Sequence, residues 1–133
     1  MQTKFFLTRE DALRILAAAR TEANNNSWAV SIAVVDDGGH PLVLERLDGC
    51  APVGAYIATE KARTAALGRR ESRLYEEMIN GGRNAFLSVP VLSGMLEGGV
   101  PIVVDGQVVG AVGVSGVKPD QDSRIARAGV AAA

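Results

Sequence analysis

The stretch DGCAPVGAYIATEKARTAALG, Asp48 to Gly68, decides how the rest of the chain is arranged. It leaves a strand, turns, and enters a helix whose Gly54, Ala55, Ala58, Ala62 and Ala65 put almost no side-chain volume along one side. Another backbone can approach such a side closely, so the helix calls for a close-packed partner. A second side carries Ile57, Lys61 and Thr64, spaced four and three apart, which sets a cation and a hydroxyl below an aliphatic residue on one face. That face is a candidate floor for a ligand.

A hairpin lies on either side of this helix. Trp28–Asp36 and Pro41–Leu47 read as strands joined by the turn Asp37-Gly38-Gly39-His40. In the first strand Val30, Ile32 and Val34 alternate with Ser31, Ala33 and Val35, so one face is bulky and the other shallow. Val100–Val104 and Gln107–Val117 form the second hairpin through Asp105-Gly106. Its last strand contains Gly110, Gly113 and Gly116, and glycine inside a strand weakens it unless a ligand or another backbone must come close.

Helices fill the remainder. Thr8 with Asp11 is a capping-box pattern with Leu7 as staple, predicting a first helix from Arg9 to Ala23. Ser72 is expected to cap a short helix through Met78, and Pro119-Asp120 to open a last one ending near Ala131. Between them, Arg83–Pro101 is a long, punctuated apolar segment, the kind of structured loop that carries function or an interface. Two hairpins separated by helices imply an α+β fold with one mainly antiparallel sheet, and no β–α–β crossover with a dinucleotide loop is present.

Length and composition narrow the function. At 133 residues the chain is one domain, residues 1–133, able to bury a core without staples. A formal charge of −1 supplies no basic field for nucleic acid or an anionic membrane surface. No apolar run is long enough to span a bilayer, and the N-terminus lacks a signal-peptide pattern. A single cysteine, Cys50, fits a reducing compartment, so the expected location is cytoplasmic.

The candidate chemistry is sparse. There is no Walker motif, GAVGVSG lies inside a strand, and one His with one Cys cannot supply a zinc site. His40 and Cys50 as a nucleophilic pair lack an orienting partner, and Ser115 has no nearby histidine. His40 is either an exposed turn residue or a ligand; if a protein nitrogen holds a metalloporphyrin, it is the only imidazole available. Arg46 and Asp48 end the second strand, and with Lys61 they form either an interface ion pair or a site for an anionic ligand. Thr64 could add a hydroxyl, although a helix-interior threonine more often bonds its own backbone.

Four blocks, AVVDDGGHPLVLERLDG (33–49), IATEKARTAALG (57–68), GGVPIVVDGQVVGAVGVSG (98–116) and DQDSRIARAG (120–129), together resemble the GlcG/HbpS family, which includes the C-terminal domain of PduO proteins. The likeness runs from Thr8 to Ala131. It implies a profilin-like α+β fold with a central antiparallel sheet of about five strands flanked by helices. It also implies homo-oligomers, from dimers up to octamers, and an association with haem or corrinoid chemistry. On that reading the protein binds a small molecule, most simply haem or a related tetrapyrrole. Arg46, Asp48, Lys61, Thr64, Gly99, Gly113 and Ser115 would then line the ligand, with His40 as the haem-iron ligand. The alternative is a small enzyme or accessory protein of a catabolic pathway acting on an oxygenated or aromatic carboxylated metabolite, with Lys61 and Asp48 as catalytic groups.

Overall fold

The computed structural model describes residues 1–133. Helix α1 (Arg9–Asn25) precedes the hairpin β1 (Ser31–Asp36) and β2 (Pro41–Arg46). Helices α2 (Val53–Gly68) and α3 (Ser72–Asn80) follow, then a short 3₁₀ turn (Asn84–Ser88). The hairpin β3 (Gly99–Val104) and β4 (Gln107–Ser115) leads into α4 (Pro119–Val130). The strands form one sheet in the order β2-β1-β4-β3, with every neighbouring pair antiparallel.

The sheet has four strands where about five were expected. Its glycines do not divide the last segment. β4 runs unbroken to Ser115, bonded to β1 on one side and β3 on the other, so the two hairpins account for every extended segment. The first strand is also shorter than its alternation predicted. Ser27 takes a left-handed φ of 56° and the Trp28 amide donates to Ala23 O, which closes α1 and delays the sheet to Ser31. At the other boundary the Thr8–Asp11 capping box forms as read, and α1 continues through two of the asparagines.

The two-faced alternation of β1 governs the packing. Ile32, Val34, Val112 and Val114 face α1 and α4, where Ile15, Leu16 and Ile125 complete the main core. Ala33, Val35 and Ala111 face the other way and meet Ala58, Ala62, Ala65 and Ala66 of α2. With methyl groups on both sides, the helix lies directly on the strands. A Cβ at Gly113 would run into the Ala58 carbonyl oxygen and come within 2.5 Å of the Ala62 nitrogen. The close partner required by the small-residue helix is therefore the glycine-bearing strand β4.

Ser72, expected as a cap, sits inside the first turn of α3, with Glu71 at the capping position. Its buried hydroxyl instead accepts from the Gly99 amide at 2.8 Å and donates to Leu96 O at 2.5 Å. It ties α3 to the start of β3 and orders the end of the long loop.

Candidate functional site

Lys61 sits at the centre of α2, and its side chain is turned into the protein. It is 4% exposed, and its ammonium donates to Val114 O at 2.9 Å and to Asp122 Oδ2 at 3.0 Å. The stem passes beneath Gly98, where a Cβ would come within 2.8 Å of Nζ. Asp122, 2% exposed on α4, accepts from the Val117 amide at 3.1 Å through its second oxygen. Burial pushes the Asp122 carboxyl above its ordinary range, and the Lys61 ammonium and Val117 amide pull it part of the way back. The pair clamps α2 and α4 together around the end of β4. An incoming acid could reach Lys61 only by displacing Asp122, and Asp48 stays on the surface, so the suggested Lys61–Asp48 couple is not assembled within this protomer.

Thr64, one turn further along α2, is fully buried and its Oγ1 has no hydrogen-bond partner. An unsatisfied buried hydroxyl is costly, while valine has nearly the same shape. Thr64→Val is expected to stabilise the protein by about 1 kcal/mol, seen as a higher urea midpoint at unchanged m.

Two of the other sequence candidates share one row across the sheet. Ser31 is paired with Arg46 on one side and with Ser115 on the other, so the three side chains project toward α2. Cys50 lies over this row with Sγ 3.3 Å from Ser31 Oγ, close against Gly54 at the start of α2. Arg46 and Asp48 are exposed at the rim, whereas Ser115 is buried. Gly99 and Gly113 face each other across β3 and β4. Both are points where the α2 backbone approaches the sheet, since a Cβ at Gly99 would meet the Lys61 carbonyl.

The opposite end of the sheet holds His40. Its Nδ1 lies 3.1 Å from Asp36 Oδ1 and 3.2 Å from Oδ2, and the same Oδ1 accepts from the Gly38 and His40 amides at 2.9 Å. The carboxylate thus organises the turn and holds the ring, whose side chain is 79% exposed with Nε2 left over. His40 and Arg46 occupy opposite ends of β2, about 20 Å apart at 3.3–3.4 Å per residue. One protomer does not offer both to the same small ligand.

Charges that the sequence reading did not single out gather around His40. Lys4 pairs with Asp37 at 2.7 Å and holds that carboxyl below its ordinary range. Arg63 pairs with Glu60 at 3.0 Å and packs its stem against Gly39. Arg69, just past α2, donates to Asp37 O at 2.6 Å and Ala66 O at 2.9 Å. A surface groove of about 450 Å³ runs beside them, lined by Lys4, Arg69, Val103, Gln107 and Val108 among others. The local sequence signal for Arg69 was its place after Gly68 at a helix stop. For Asp122 it was only an acidic first turn, which does not say which carboxylate turns inward.

No three His, Cys, Asp or Glu side chains come together as a group that could hold a bare metal ion. No helix is long and apolar enough to cross a membrane. The chain is 63% identical to Protein GlcG of Escherichia coli K12 over 115 residues, covering 86% of this chain and 85% of that protein. The crystal structure of HbpS superposes with a TM-score of 0.89 at 32% identity, covering 98% of this chain and 92% of the other. The crystal structure of a PduOC:heme complex superposes with a TM-score of 0.85 at 25% identity, covering 97% and 96%. A family model described as haem degrading protein HbpS-like matches residues 7–131, so with the four-strand sheet and the GlcG likeness this chain belongs to the HbpS-like family.

Proposed function

We propose that this protein is a cytoplasmic, homo-oligomeric binding protein for haem or a related tetrapyrrole, which docks at the His40 end of the sheet. The observation that carries the reading is the His40–Asp36 contact. An imidazole whose Nδ1 is held by a carboxylate presents Nε2 in a fixed direction, the usual support for a metal-bound histidine. These residues fit a haem: the chain's only histidine is exposed, oriented, and bordered by cations suited to the propionates. Bound haem would supply the iron and its redox chemistry, and the protein's part is to orient the macrocycle and receive its acid groups. The family match and the haem complex of a relative support the same ligand class.

A flat molecule laid against so exposed an imidazole keeps one face in water. Exposed apolar side chains such as Leu67 on α2 and Leu44 on β2 favour a second copy as cover. Arg46 and Asp48 enter this reading only through such a neighbour. The single free cysteine is buried and fits a reducing compartment.

Haemin titration followed by absorbance tests the assignment. The wild type is expected to show a saturable Soret change, and His40→Ala to shift the band and weaken affinity at least tenfold, about 1.4 kcal/mol. Absence of any saturable change in the wild type removes the reading.

A further inference from the structure

We infer that Arg69 is the residue that receives the ligand's carboxylate, an assignment that rests on the haem reading above. Three observations converge on it. The first is charge. Of the cations at the His40 end, Lys4 is neutralised by Asp37 and Arg63 by Glu60, whereas both hydrogen bonds of Arg69 go to carbonyl oxygens. No carboxylate is hydrogen-bonded to its guanidinium, although the charge is felt by Asp37, and its unused N–H groups are donors left for a planar acid.

The second is backbone conformation. Arg69 takes φ 57° and ψ 31°, a left-handed geometry that glycine adopts freely and that costs any residue with a Cβ. Gly68, one residue earlier, cannot be the reason, because it is used for close contact with the Tyr75 ring. The position after it carries a strained arginine, and its side chain reaches the backbone of the His40 turn.

The third is space. Arg69 borders the groove of about 450 Å³ whose apolar wall is Val103 and Val108. In the strand order β2-β1-β4-β3, His40 beside β2 and the groove beside β4 and β3 lie two to three strand spacings apart. That is about 10–14 Å at 4.7–4.9 Å per strand, a span suited to a macrocycle with its acid arm extended. Lys61 and Arg46, the cations singled out from the sequence, lack this placement.

Haemin and haemin dimethyl ester, titrated into wild type and Arg69→Gly, separate the possibilities. Glycine suits the left-handed position, so the variant is expected to fold. The wild type should prefer the free acid over the ester at least tenfold. Arg69→Gly should lose that preference while its Soret position, set by His40, stays unchanged. If the glycine variant melts far below wild type, Arg69→Asn, which also tolerates this geometry, takes its place in the same titration. A variant that still prefers the acid, or a wild type that binds acid and ester equally, overturns the role of Arg69 and leaves the haem reading standing. A wild type that binds neither overturns both.

Discussion

Asp122→Ala is expected to lower the unfolding free energy by about 3–5 kcal/mol, the largest loss among the substitutions considered. Removing the carboxylate leaves the Lys61 ammonium inside the protein with only Val114 O as acceptor, and it strands the Val117 amide as well. A charge enclosed without its partner is far more costly than the intact pair is stabilising, because the desolvation of both ions offsets most of their attraction. The double substitution Lys61→Met with Asp122→Leu is therefore expected within about 1 kcal/mol of wild type, since neither ion then has to be dehydrated. Urea denaturation at constant m reads both values. A single-mutant loss below about 1 kcal/mol would mean that water reaches the pair, as at surface ion pairs. If the double variant also binds haemin as the wild type does, Lys61 is an architectural residue.

Gly113→Ala should come next, with a loss of about 3 kcal/mol or more. Strand propensity alone points the other way, because alanine in a strand interior is favoured over glycine by about 0.5–1 kcal/mol. Sterics decide the sign. The added methyl would meet the carbonyl of Ala58 and the amide of Ala62, and neither can rotate aside like a side chain. The helix must lift, and the alanine interface of Ala33, Ala58, Ala62 and Ala111 opens with it. A thermal melt within a few degrees of wild type would show that α2 can retreat at little cost, against the close packing described above.

These two positions also mark what could be read from the chain. The shallow face of β1, the small-residue side of α2 and the glycines of β4 are local patterns, and each independently demanded a close neighbour. Their mutual contact follows once two hairpins flank the helix. The fifth strand that the family resemblance implied is absent because the two hairpins account for every extended segment, and the glycines of β4 are where α2 touches an unbroken strand.

By itself the sequence determined the order of helices and hairpins, the two unequal faces of the sheet and the membership of a family, because periodicity, turn residues and block spacing are properties of neighbours along the chain. The tertiary structure alone decided which charges are free. Lys61 meets a carboxylate 61 residues away, His40 and Arg46 part to opposite ends of β2, and Arg69 arrives beside the His40 turn although 32 residues separate it from Asp37. Whether a cation is neutralised or available depends on how helices cross the sheet, and that distance in space has no counterpart in spacing along the chain.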